Sequence, residues 1–178
     1  MRPRVKRALR RLDRGPDTIQ FGVHPARAVL LTEVAPAVRK LIDALDGTRT
    51  LDELLAGAAR FGLDAAAVRQ VLDLLVGQGV VEDAGRRPVA GLGPGERDRL
   101  GPDLDALSLA PGTLDGGAAV LERRRLAQVR VYGAGRVGAQ VAALLAAAGV
   151  GHLCVIDPGP VRPWHLAPGG LTSAELGG

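Results

Sequence analysis

The chain is 178 residues long, enough for one domain of ordinary size or two small ones. A single cysteine, Cys154, excludes an internal disulfide and a cysteine-built zinc site, and no apolar run approaches the ~18 residues of a membrane span. A formal charge of +4 and a pI near 10.2 favour an anionic partner such as a nucleotide, a nucleic acid or an acidic peptide.

Only 2% of residues are aromatic, so the core is expected to be built from Leu, Val and Ala. The opening stretch, "MRPRVKRALRRLDRG", has no apolar segment behind its charges and does not read as a secretory signal, so a cytoplasmic protein is expected. Residues 1–16 read as a basic arm carrying Arg2, Arg4, Lys6, Arg7, Arg10, Arg11 and Arg14, a solvated tail with weak affinity for anions.

Residues 17–83 read as a first module. "TIQFGVHPARAVLLTEV" predicts two short strands with a turn at His24-Pro25. Val34, Val38, Leu41, Ile42 and Leu45 then share one helical face, with Pro36 in the first turn and Gly47 at the C-terminal cap. "TLDELLAGAARFG" opens on a capping box, Thr50 to Glu53. A third helix starts at Asp64, presents Val68, Val71, Leu72 and Leu75, and ends at Gly77 or Gly79; "GVVED" closes the module as a strand. Helices this short must share one small core, which gives a winged-helix-like α+β unit.

The phrase "LIDALDGTRTLDELL…VLDLLVGQGVVE" resembles PqqD-like modules, which hold leader peptides while ribosomal peptides are modified. The resemblance implies that a leader peptide adds as a strand to the small sheet and packs on the last helix. The implied groove lies between Val29, Leu30 and Leu31 and the helix residues Val71, Leu72 and Leu75. The same side chains would serve equally as plain core. A DNA-reading role is a third alternative, but the last helix offers only Arg69 and Gln70, which argues against specific nucleic-acid binding.

Residues 84–120, rich in Gly, Pro and Asp, read as a long linker with a short helix around Glu96 to Leu100 and a brief "ALSLA" strand.

Residues 121–178 carry the sharpest pattern. "QVRVY" alternates as a strand, Gly133, Gly135 and Gly138 supply G-x-G-x-x-G, an Ala-rich helix follows, and "HLCVID" is a second strand ending in Asp157. Helix-end N–H groups at such a turn attract phosphate, with Arg136 beside them, and an acid 22 residues beyond Gly135 suits ribose hydroxyls. This predicts the opening β-α-β of a Rossmann-like doubly wound domain, with Cys154 as a buried structural thiol. The longer phrase "GAGRVGAQVAALLAAAGVGHLCVIDPGPVRPWHLAPGGLTSAELGG" resembles the ThiF/MoeB superfamily, relatives of the ubiquitin-activating enzymes.

That resemblance implies ATP, bound through Gly133, Gly135, Arg136, Gly138 and Asp157, with Mg²⁺ assisting adenylation of a peptide or protein C-terminus. The family's second acid is Gly159 here, its Asn is His165, and its Arg falls at Pro168. Its lysine, Mg²⁺-binding aspartate and cysteines would lie beyond Gly178, so an incomplete or degenerate site in a truncated domain is expected. A parallel sheet of two strands and one helix leaves a face bare, so residues 158–178 should be disordered unless more chain or another subunit covers it. Trp164 and His165 read as loop-packing residues. No catalytic residue and no metal ligand is assigned.

Together the two resemblances match proteins that accompany azole-forming cyclodehydratases. They imply capture of a precursor's leader and its presentation to a YcaO-type enzyme, in an oligomer or hetero-complex. An ATP-dependent adenylyltransferase and a DNA-binding regulator are the alternatives.

Overall fold

A computed structural model describes residues 1–86, 89, 91–110 and 113–177. Residues 87, 88, 90, 111 and 112 of the expected linker, and Gly178 of the last segment, lie outside the described residues. The protein is mixed α/β. It divides into two compact units, Met1–Ala90 with Leu104–Ala118, and Gly91–Asp103 with Ala119–Gly178.

In the first unit, strands β1 (Pro3–Val5) and β2 (Arg11–Asp13) precede the hairpin β3 (Ile19–Phe21) and β4 (Val29–Leu31). Helices α1 (Pro36–Asp43), α2 (Leu51–Ala56) and α3 (Ala65–Gly77) follow, and then strand β5 (Val81–Asp83). The strands form an antiparallel sheet ordered β2-β3-β4 and a separate β1-β5 pair. Local chemistry sets the helix ends. Pro36 opens α1, Thr50 and Glu53 close a reciprocal capping box on α2, and the Asp64 carboxylate accepts the Ala67 N–H at 2.7 Å to start α3. Gly47 is not the cap of α1, which ends at Ala44; Gly47 turns the chain at φ +83° under the side chains of Arg4 and Ala84. Ile19, Phe21, Leu41, Leu54, Val68, Leu75 and Val81 meet in one core.

The reading of residues 1–16 as a solvated arm is corrected. The segment supplies β1 and β2, and some of its charged residues pair with charges of the folded module. Arg4 pairs with Glu82 at 2.5 Å, Arg11 with Asp43 at 2.5 Å, and Arg39 with Asp13. Lys6 is buried, and its ammonium donates to the Ser108 carbonyl at 2.6 Å. Burial pulls the Lys6 pKa down, partly offset by the charges of Glu82 and Asp115. The arm lacks helical or strand-length periodicity, so only its tertiary partners reveal it as structure.

The reading of residues 84–120 as a linker is corrected too. Helix α4 (Pro94–Ser108) occupies 15 of its residues, containing the helix expected around Glu96 to Leu100 and also the "ALS" expected as strand, and α5 (Ala118–Leu126) begins at its end. The inward stripe of α4 mixes Glu96, Leu100, Asp103, Leu104, Leu107 and Ser108, so hydrophobicity alone does not trace it.

In the second unit, strands β6 (Gln128–Tyr132) and β7 (His152–Ile156) pair in parallel across α6 (Gly138–Ala147). The C-terminal end of α6 is held by arginines. The Arg99 guanidinium donates to the Ala147 carbonyl at 2.5 Å and that of Arg124 to the Ala148 carbonyl at 2.9 Å, where positive charge complements the helix dipole. Arg124 also pairs with Asp103, and Arg125 with Glu96. Cys154 is exposed, not buried as expected, because it lies in register with Arg130 on the face of the sheet away from α6. Residues 158–177 follow β7. They make 3₁₀ turns at Pro163–His165 and Ser173–Glu175, and the Gly177 N–H donates to the Val161 carbonyl at 3.1 Å.

Candidate functional site

Two places bring together the residues singled out in the sequence, and they lie in different units. The first is the open edge of β4. Arg14 and Gly22 donate their N–H groups to the carbonyls of Thr18 and Arg10, which makes Leu12 and Gln20 a hydrogen-bonded pair between β2 and β3. By the antiparallel alternation, Ile19 and Phe21 then bond to Leu31 and Val29, and the main-chain N–H and C=O of Leu30 point outward. Alongside this edge runs a groove of about 490 Å³ lined by Val29, Leu30, Leu31 and Val38 on one side and Val71, Leu74 and Leu75 on the other.

Of the expected peptide-contacting residues, five line the groove and Leu72 does not. Leu72 is only 5% exposed and belongs to the core, one turn beyond Val68 on the inner face of α3. Sequence reading missed Leu74, which is 51% exposed, and Glu33, which turns the chain out of β4 at φ +55°. An exposed Leu beside a buried one on a helix is the only signal that marks Leu74, and it resembles an ordinary surface residue. Leu30 is 54% exposed. The groove is therefore apolar yet open, beside a strand edge with free main-chain groups.

The second place is the glycine turn. Gly133 adopts φ +93°, and its N–H donates to the Ile156 carbonyl at 2.8 Å, which joins the turn to the end of β7. A Cβ on Gly138 would fall 1.8 Å from the Gly133 carbonyl oxygen, whereas a Cβ on Gly135 would meet nothing within 4 Å. Gly138 thus permits close packing of helix on turn, and Gly135 leaves open space over the backbone where an anion can approach. Arg136 is exposed beside it. Asp157 points back at the turn, its carboxylate accepting the Ala134 N–H at 2.7 Å and the Gly159 N–H at 3.0 Å. Those two amides, Ala134 first, hold the Asp157 carboxyl below its ordinary pKa, with a small further push from His165. The His165 ring nitrogen Nδ1 accepts the Arg162 N–H at 3.2 Å, and its ring meets Trp164 edge-on. Trp164 itself is exposed.

An open glycine bend facing a carboxylate fits the phosphate and ribose of a nucleotide. Among the described residues no group of three or more His, Cys, Asp or Glu is placed to hold a metal. On α3, Arg69 and Gln70 lie beside Ala65, Ala66 and Asp73 in a shallow depression, a sparse set for reading DNA. Among the described residues no helix is long and apolar enough to cross a membrane.

Comparison with known proteins agrees with the second unit. Residues 112–177 match the model of the ThiF family. No curated protein matches the chain in sequence. Among solved structures, PaaA is similar over 97% of this chain and 51% of its own, at 18% identity and a TM-score of 0.72. E. coli MccB with ATP is similar over 99% and 49%, at 14% identity and a TM-score of 0.69. The microcin C7 biosynthetic enzyme MccB in complex with N-formylated MccA covers 99% and 48%, at 14% identity and a TM-score of 0.66. The chain spans about half the length of these proteins. At such identities the likeness speaks for the fold. The family match is confined to residues 112–177, and the solved structures show what the whole chain resembles in fold.

Proposed function

We infer that this chain works in ribosomal peptide biosynthesis, capturing the leader segment of a precursor as an added strand on β4 and presenting the rest of the precursor to a partner enzyme. The observation that carries this reading is the coincidence of an outward-facing main-chain pair at Leu30 with an apolar groove floored by Val71, Leu74 and Leu75. A PqqD-like role for the first unit and a ThiF-like second unit fit a protein that delivers peptide to a YcaO-type cyclodehydratase in the cytoplasm. MccB, a microcin biosynthetic enzyme similar in fold, forms a complex with the peptide MccA, which supports a precursor peptide as partner.

A Leu30→Pro variant tests strand addition. Its missing N–H faces the open edge, so the β3–β4 ladder survives, as proline is tolerated at strand edges. Precursor peptides encoded beside this chain's gene should bind the parent chain, and binding to the variant should fall by about tenfold, the worth of a lost hydrogen bond and its ordering. Equal binding by both chains would refute the strand-addition mode.

A second reading is ATP-dependent adenylation of a peptide C-terminus. It is favoured by the open Gly135 bend and by the likeness to MccB with ATP. In this reading the turn amides and Arg136 take up phosphate charge, and Asp157 orients the ribose while holding the bend. ATP–pyrophosphate exchange dependent on the peptide separates the readings: exchange supports the enzyme, and tight peptide binding without exchange supports the delivery role.

A further inference from the structure

The β4–α3 groove is lined mainly by apolar side chains, with Thr32 and Gln78 polar and Glu33 the one charged residue lining it. Glu33 is the second residue beyond the strand, is exposed, and makes no ion pair or hydrogen bond with any other described residue. It is also the one non-glycine residue at positive φ among those described. Gly, Asn or Asp would sit there with less strain. A strained position filled by an unsuited residue whose carboxylate borders a groove points to a role for that carboxylate.

We propose that Glu33 selects the occupant of the groove: an extended peptide with apolar side chains at alternate positions and a Lys or Arg that meets Glu33. The inference rests on the peptide-capture reading and adds the chemistry of the peptide. Pairing to the Leu30 main chain fixes the register of the strand. Alternate side chains of that strand then fall on the Val71 and Leu74 side. Glu33 lies three residues beyond Leu30, where the chain turns out of β4, so the cation belongs at a fixed offset along the peptide from the residue paired with Leu30. The occupant is set by charge complementarity: an apolar trough closed at one end by an unpaired carboxylate favours a cation there and repels an acidic side chain. Attraction of this kind governs choice and register more than overall strength.

The test is selection of a random-peptide display library on the full chain, followed by affinity measurements on the recovered peptides. Recovered sequences should share two apolar residues spaced two apart and a basic residue at a fixed offset. Glu33→Gln should weaken these peptides by about twofold to fivefold, the range of a partly exposed ion pair. Replacing the peptide's basic residue with Gln should remove the difference between the two chains. Glu33→Lys should redirect the selection to acidic residues at the same offset. If peptides bind in a manner lost in Leu74→Glu but show no fixed basic position and no response to Glu33→Gln, the proposal is overturned while peptide capture stands. If no recovered peptide depends on Leu74, peptide capture falls and the role of Glu33 falls with it.

Discussion

Gly135 and Gly138 belong to the same glycine turn, yet the geometry assigns them opposite sensitivities. In Gly138→Ala the new methyl would lie 1.8 Å from the Gly133 carbonyl oxygen and 2.9 Å from its carbon. Ordinary contact begins near 3.4 Å, so the helix or the turn must move by about 1.6 Å. The obstacle is backbone that the Gly133–Ile156 hydrogen bond ties to β7, not a side chain that swings aside. Overpacking typically costs about 1–3 kcal/mol, and a rigid obstacle places this case near the top of that range. A melting decrease of about 12–24 °C in the second unit follows for a loss of ~3 kcal/mol. Gly135→Ala meets nothing within 4 Å and should melt within about 2 °C of the parent, since surface changes stay within ~0.5 kcal/mol. Its methyl would instead obstruct the approach of a phosphate to the turn. Thermal unfolding followed by circular dichroism, with ATP binding by calorimetry, checks both. A Gly138→Ala chain that melts with Gly135→Ala and binds nucleotide equally well would refute the separate roles of the two glycines.

Three further outcomes follow from the same coordinates. In Lys6→Met the buried ammonium is replaced by an apolar chain of similar length, while Thr113 Oγ1 still reaches the Ser108 carbonyl at 2.6 Å. Stability at neutral pH should be unchanged or rise by about 1 kcal/mol. The folded pKa of Lys6 is depressed, so the unfolded chain binds more protons just below 10.5. The parent should therefore gain stability relative to Lys6→Met as pH rises toward that value, and parallel denaturation curves across this range would contradict the burial of Lys6. Asp157 is the opposite case. Its carboxyl is held below 3.8, so its grip on the turn is complete above that pH and is lost as pH falls through the depressed value. The Ala134 amide proton should shift with a midpoint below 3.8 in a nuclear magnetic resonance titration and should not titrate in Asp157→Asn; a midpoint at or above 3.8 would count against the bond. Finally, Glu33→Asn should raise stability by about 0.5 kcal/mol through relief of its positive φ while weakening cationic peptides; chemical denaturation beside binding reads both.

The elements with a single strong period were legible in the sequence. The faces of α1 and α3, the Thr50–Glu53 cap and the strand-turn-helix-strand around Gly133 are each written in residues a few positions apart, where local chemistry decides. Elements whose stabilising partners are distant were not legible. β1 and β2 carry arginines that read as a tail until Glu82 and Asp43 are brought to them, and α4 buries a stripe half polar in composition. The two candidate sites divide in the same way. Residues flanking the glycine turn can be named from spacing, and so can Val29, Leu30 and Leu31 as a strand. That β4 lies at the edge of its sheet, that Leu30 is the residue whose backbone faces outward, and that Leu74 and Glu33 border the groove depend on the order and register of strands.

By itself, then, the sequence determined the local elements and the dihedral-demanding turns, because those follow from side-chain period and from the conformational range of each residue. Only the tertiary structure decided which strand edge stays open, which glycine is packed and which is free, and which acid borders the groove. Those properties belong to pairs of segments far apart in the chain, and no local pattern encodes the distance between them.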